Sequence, residues 1–308
     1  MLSIHIPFYN LVLLPFSSLI ISAVEIVTSP VECRKKILSL TVEGKNIGFV
    51  PTMGALHDGH MELVRQAKLS CDFVVVSIFV NRTQFNNEED FKKYPKSFDS
   101  DAEKLRQSGC DIVFAPSDGD MYPGTPEVKI TFPGLQKSME GHYRPGHFEG
   151  VALVVSKLLH VVPAQKAFFG RKDWQQVLII KQLVRDLHFF SEIISVPTVR
   201  EPDGLAMSSR NQRLSEKERS LAVIFSKSLY MAREKLLAGE SVEGAVASVR
   251  QAFDRLPEVR LEYFEIANRE TLEPVQSVET NVPVSLFIAG YVGDVRLIDN
   301  IFLQEETE

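Results

Sequence analysis

Paired cysteines are missing from this chain: Cys33, Cys71 and Cys110 are the only three, an odd number at spacings that make no CxxC. That excludes a disulfide framework and a zinc knuckle and fits a reducing compartment, so the protein is expected in the cytoplasm. Positive charge is also in short supply. Against 34 Lys and Arg stand 40 Asp and Glu, a net charge of -6, which gives no general field for nucleic acid and makes any phosphate site local. The first 22 residues carry no Lys or Arg at all, so the basic start of a signal peptide is lacking. Pro7, Asn10, Pro15, Ser17 and Ser18 interrupt what would otherwise be an apolar span. The stretch reads as an atypical apolar N-terminal extension, and no membrane partner is expected. Internal repeats and low-complexity tracts are absent as well.

What is present is a chain of 308 residues, 44% apolar and 24% charged, long enough for two domains. It is organised around VPTMGALHDGHMELVR, Val50 to Arg65. A short apolar run (Ile47 to Val50) stops at Pro51 and crosses a turn at Gly54. It then enters a segment, Asp58 to Ser70, whose Met61, Val64 and Ala67 recur at helical spacing. His57 and His60 flank Gly59 where that helix begins, so two imidazoles and the backbone N–H groups of a helix start are expected to converge on a phosphate. A metal is not expected, because no third and fourth ligand follows at matching spacing.

Phe73 to Val80, FVVVSIFV, has only Ser77 polar and reads as a strand buried on both faces, which makes a βαβ unit with the segments before it. Asn81 and Gln84 leave that strand at its carboxyl end, the edge where open α/β sheets bind ligands. Further strands are expected at Val24 to Thr28, Asp111 to Ala115, Ala167 to Phe169 and Ile193 to Val199. Helices are expected from Ser29-Pro30 to about Leu40 and at Asp99 to Ser108, His147 to Val161 and Trp174 to Leu187, with a loop at Gly134 to His147. The fold class is therefore α/β: a Rossmann-like doubly wound parallel sheet over residues 23–198. From Arg200 to Asn211 a turn-rich loop carries two serines and an arginine. A smaller α+β domain, residues 199–308, should contain one long helix from Ser215 to about Ala238, a second from Val242 to Leu256, and then three apolar strands. The acidic tail Glu305 to Glu308 should fray.

HxGH after a buried strand resembles the signature of the nucleotidyl-transfer superfamily that includes class I aminoacyl-tRNA synthetases. Over Ala23 to Phe302 the chain resembles, more narrowly, the pantothenate synthetase (pantoate-beta-alanine ligase) family. The likeness rests on PTMGALHDGH (51–60), VSIFVN with QF (76–81, 84–85), KYP (93–95), EGHYRPGHFEGV (140–151), FG-KDWQQ (169–176), DGLAMSSRN (203–211) and DVRLIDN (294–300). It implies that ATP and pantoate form a pantoyl adenylate and pyrophosphate, after which β-alanine displaces AMP. The protein's task is then positioning and charge stabilisation. Carried over residue by residue, the resemblance makes His57, His60 and Lys172 catalytic, with His60 in the place of a proton donor. Met53, Gly170, Asp173 near the ribose, Val199 through its backbone, Met207, Ser208, Ser209 and Arg210 would complete an ATP site. Gln84, Gln176 and Asn81 would bind pantoate and β-alanine. It also implies Mg2+ arriving with ATP, and a homodimer.

Glu140 and Arg144 match a family loop near the site, and a mutual salt bridge accounts for them equally well. The chain departs from the family at Arg82, where proline is usual, at Arg171, where glutamate is usual, and at Trp174, where Tyr or Phe is usual. The competing enzyme reading is another HxGH nucleotidyltransferase acting on a small carboxylate or phosphate. It leaves the QF, KDxQQ and RPGHF segments unexplained.

Overall fold

The computed structural model describes residues 24–279 and 281–304. The expectations for residues 1–22 and for the acidic tail lie outside them. In chain order the elements are β1 Glu25–Val27, α1 Pro30–Val42, β2 Ile47–Thr52, α2 Asp58–Ser70, β3 Phe73–Ile78, α3 Glu88–Lys92, α4 Phe98–Gln107, β4 Ile112–Phe114, α5 Asp118–Met121, α6 Met139–Tyr143, α7 His147–Val161, β5 Lys166–Gly170, α8 Trp174–Asp186 and β6 Glu192–Val196. After these come α9 Glu216–Ala222, α10 Ile224–Leu237, α11 Val242–Asp254, β7 Val259–Asn268, β8 Val284–Val292 and β9 Val295–Phe302.

Six strands make one parallel sheet in the order β1-β4-β3-β2-β5-β6. From β2 the chain winds outward through β3 and β4, then returns to the other side of β2 for β5 and β6. The order thus reverses between β2 and β5, and a crevice opens at their carboxyl ends. β2 and β3 sit centrally, which is why IGFVPT and FVVVSI are apolar on both faces. Helices α1, α7 and α8 cover one face and α2 and α4 the other.

The remaining strands form an antiparallel sheet, β7-β8-β9, backed by α10 and α11. Tyr263, Phe287 and Phe302 from this second sheet belong to the same apolar cluster as Val151, Trp174 and Val177 of the first. The two sheets therefore share a core. Among the described residues no helix is long and apolar enough to cross a membrane.

Two local expectations need correcting. The helix expected from Ser215 to about Ala238 is α9 and α10, interrupted at Val223. Val223 keeps a near-helical φ of -63° and ψ of -17°, but its carbonyl is shared between the Ser226 hydroxyl and the Lys227 amide, each at 3.1 Å. The loop expected at Gly134 to His147 contains α6, entered through Met139 at φ +49°.

Candidate active site

The first wall of the crevice is the turn after β2. Gly54 at φ +78° and Ala55 at φ +50° are both left-handed, a conformation that costs an alanine about 1–2 kcal/mol. Asp101 holds it: its two carboxylate oxygens accept the amides of Ala55 and Leu56, each at 2.8 Å, from the first turn of α4. Lys104, one turn later, donates to the Leu56 carbonyl at 2.5 Å. The turn ends at His57, which caps α2 in place of the usual hydroxyl or carboxamide.

This cap fixes the chemistry of both histidines. Nδ1 of His57 accepts the Gly59 amide at 3.2 Å, and Nδ1 of His60 accepts the His57 amide at 3.3 Å. A neutral imidazole that accepts at Nδ1 carries its proton on Nε2. The two rings lie 4.1 Å apart and present Nε2–H as donors. Burial, then the Lys172 ammonium, lowers the pKa of His57 to about 4. His60 is pushed well below the usual imidazole range by burial, then by His57 and Lys172. Of the helix-start amides expected to be free here, that of Gly59 is taken by His57 Nδ1 and those of His60 and Met61 bond the His57 carbonyl at 2.8 and 3.1 Å.

The second wall follows β3. Asn81 accepts from the Tyr122 hydroxyl at 2.7 Å and the Thr83 hydroxyl at 3.0 Å, and donates to Gln84 Oε1 at 3.0 Å and the Gly150 carbonyl at 3.2 Å. Asn81 was expected to bind substrate, yet both ends of its amide are engaged within the protein and it fixes Gln84. Among the described residues Gln84 Nε2 donates to the thioether of Met53, at 3.0 Å, a weak acceptor. Arg82 lies on the outer side of the same turn, exposed, 3.8 Å from Glu88 and over the Phe91 ring.

The third wall follows β5. Gly170 leads into a short turn, Arg171–Asp173, whose Lys172 ammonium stands 3.8 Å from the Asp173 carboxylate. Asn300, from the second sheet, donates to the carbonyls of Arg171 at 2.9 Å and Lys172 at 2.7 Å and so pins this turn. Arg171 points away over the Phe302 ring. Trp174 meets Phe302 edge-on and donates Nε1–H to the Arg269 carbonyl at 2.7 Å.

The loop from Arg200 closes the fourth side. Arg200 pairs with Asp299, Ser208 Oγ accepts the Arg210 amide at 3.3 Å, and the Ser209 hydroxyl lies 3.2 Å from that of Tyr94. Arg210 and Arg213 share one carboxylate, Asp90, at 2.8 Å each. Met53, His57, His60, Asn81, Gln84, Gly170, Lys172, Asp173, Gln176, Val199 and Met207 to Arg210 all line a single cavity of about 220 Å3. A second cavity of about 430 Å3 between the two sheets adjoins it, sharing Arg144, Lys172, Asp173, Ser208 and Arg210.

A family model described as Pantoate-beta-alanine ligase matches residues 25–302. The chain belongs to the pantoate-beta-alanine ligase family. The pantothenate synthetase of Rhizobium etli is 48% identical over 272 residues, 87% of this chain and 90% of that one. That of Cytophaga hutchinsonii is 43% identical over 278 residues, covering 90% and 98%. The crystal structure of pantothenate synthetase from Thermus thermophilus superposes with a TM-score of 0.85 at 40% identity, covering 91% of this chain and all of that one. A pantoate-beta-alanine ligase from Francisella tularensis, complexed with beta-gamma ATP and beta-alanine, superposes at 0.77 with 35% identity, covering 92% and 99%. Membership in the pantoate-beta-alanine ligase family decides against the broader HxGH alternative.

Several residues that build this ligase's site escaped the sequence reading. Asp101 and Lys104 fall within the helix expected at Asp99 to Ser108, and only their reach to residues 55 and 56 gives them away. Asn300 stood inside DVRLIDN, a motif with no role attached. His147 looked like a helix start, yet its Nδ1–H donates to the Gln84 carbonyl at 2.8 Å while its Nε2 accepts from Arg144 at 3.1 Å. The carbonyl only accepts and the guanidinium only donates, so this tautomer is settled. Burial, then the Arg144 charge, lowers its pKa to about 3. Among the described residues no cluster of three or more His, Cys, Asp or Glu is arranged to hold a metal. Among them Asp173 is also the sole carboxylate lining the smaller cavity, too few protein oxygens for a dedicated cation cage.

Proposed function

We propose that this ATP-dependent ligase condenses pantoate with β-alanine in two half-reactions within the cavity at the carboxyl ends of β2, β3, β5 and β6. The supporting observation is the pair of neutral imidazoles whose Nε2–H groups stand beside Lys172, in one cavity with Gln84 and Gln176. In the first half-reaction a pantoate carboxylate oxygen attacks the α-phosphorus of ATP and pyrophosphate leaves with the electron pair of the broken P–O bond. His57, His60 and Lys172 bear the charge that develops on the phosphates, while Ser208, Ser209 and Arg210 hold the triphosphate. Arg210 does so while anchored to Asp90.

Met53, Gly170, Asp173, Val199 and Met207 line the nucleoside end. Gln84 and Gln176 donate to and accept from the pantoate hydroxyls and carboxylate, and Asn81 sets the Gln84 amide. Mg2+ bound to ATP neutralises phosphate charge when present, with Asp173 the nearby carboxylate. In the second half-reaction the β-alanine amine attacks the acyl carbon, AMP leaves, and the amine proton goes to solvent or phosphate. The adenylate has to be kept from water meanwhile. Residues 23–198 serve as the binding domain and residues 199–308 as its cover, with the loop around Ser208 at the seam. A cytoplasmic location fits the three unpaired thiols.

Lys172→Ala separates the steps. Pyrophosphate release from ATP and pantoate should fall by two or more orders of magnitude, roughly what one lost oxyanion-type contact costs. Externally supplied pantoyl adenylate should still react with β-alanine, because its carboxylate is already activated. Unchanged pyrophosphate release, or equal loss of both steps, would contradict the assignment.

A further inference from the structure

Glu140 is buried between the two sheets and has no part in the chemistry above. Its carboxylate accepts two hydrogen bonds from Arg296 of β9, at 2.7 and 2.8 Å, and one from the Tyr263 hydroxyl of β7 at 2.9 Å. Arg296 is also held by Glu262, at 2.9 Å through its Nε. On the other side Arg144 donates from the same Nη1 to Glu140 at 3.3 Å and to His147 Nε2 at 3.1 Å, and His147 in turn donates to the Gln84 carbonyl at 2.8 Å. The backbone amide of Glu140 donates to Gln175 Oε1 at 3.0 Å, and Gln175 is the neighbour of Gln176.

The surroundings leave this segment little freedom. Met139 is left-handed, and a Cβ on Gly141 would stand 2.2 Å from the Gln136 carbonyl oxygen. Burial alone would raise the Glu140 pKa, yet Arg296 through hydrogen bonds and charge, with Arg144 and His147, holds it at about 2. A carboxylate kept ionised in the interior fixes the groups around it, because leaving any of them unpaired is costly.

We propose that Glu140, seated by Arg296, is a positioning residue that ties the placement of the second sheet to the geometry of both acid-binding glutamines: Gln84 through Arg144 and His147, and Gln176 through Gln175. The proposal rests on Gln84 and Gln176 holding pantoate. Its consequence is selective. Loosening the fork from the β9 side shifts the glutamines, whereas the turn that carries His57 and His60 is fixed separately by Asp101 of α4.

The test is steady-state pyrophosphate release for Arg296→Lys, which keeps the charge and loses the fork, and for the milder Tyr263→Phe, each with a thermal melt. Arg296→Lys should raise pantoate KM about tenfold and leave ATP KM within about twofold; Tyr263→Phe should move it the same way by less. In a Gln84→Ala background Arg296→Lys should add less than its full effect, because the Arg144–His147 branch then ends on a residue already removed and only the Gln175–Gln176 branch remains. Equal rises in both KM values, full additivity with Gln84→Ala, or an unchanged pantoate KM in both variants would overturn the proposal. Should Arg296→Lys fail to fold, Tyr263→Phe carries the same comparison. If Gln84→Ala and Gln176→Ala themselves leave pantoate KM alone, the acid-site reading fails and the proposal with it. If they raise it while the two relay variants do not, the proposal alone fails.

Discussion

His57 and His60 cap their own helix with Nδ1, and that single arrangement sets tautomer, orientation and charge together. Held neutral, they present Nε2–H donors without repelling Lys172, and in the proposed reaction those donors meet phosphate. The pH consequence follows from linkage. An unfolded histidine titrates near 6.5, whereas folded His57 does so at about 4, so between those values the unfolded chain takes up a proton that the folded one refuses. His57 therefore contributes stability that is present above pH 6.5 and lost as pH falls towards 4. Urea melts at pH 7 and pH 5 should show wild type losing on the order of 1–2 kcal/mol more than His57→Asn, which keeps a capping side chain but does not titrate. Equal losses would contradict a neutral, half-buried His57. At this scale the sequence was legible where a residue's partner is close by, as with HxGH. It was not legible for Asp101, Asn300 and His147, whose partners lie 46, 129 and 63 positions away and whose side chains look like ordinary surface groups until folding joins them.

At the scale of elements, apolar runs and periodicity located the parallel strands and α2, because burial on both faces leaves a continuous signal. β1 is only three residues, Glu25–Val27, and owes its place to pairing with β4. The break at Val223 and the turn of helix at α6 were hidden, since each depends on a single hydroxyl or a left-handed residue rather than on pattern. Packing gives a sharper prediction at α7. Gly150 lies where this helix crosses the turn Arg82–Gln84, and a Cβ there would meet the Thr83 carbonyl oxygen at 2.3 Å and the Gln84 amide at 2.6 Å. Glycine to alanine inside a helix ordinarily gains about 1 kcal/mol. Here Gly150→Ala should instead destabilise by on the order of 2 kcal/mol, the usual cost of overpacking, and weaken pantoate binding by displacing Gln84. A melting temperature equal to or above wild type would show that the turn yields.

At the scale of the molecule, strand order puts the site where the winding reverses, and the second sheet reaches across to it through Asn300, Asp299 and Arg296. Alternation of strands and helices announced the first sheet in the sequence; the bridging contacts needed the fold. From the family resemblance we propose a homodimer, and sedimentation at micromolar concentration should show a mass of two chains, a monomer contradicting it. The central claim is an adenylate formed before the amine arrives. Nothing in a cavity framed by His57, His60, Lys172, Gln84 and Gln176 requires β-alanine for the first step. Positional isotope exchange in ATP measures this directly. With pantoate alone, the wild-type protein should scramble the bridging oxygen of labelled ATP as pyrophosphate leaves and returns. No scrambling until β-alanine is added would contradict the two-step account.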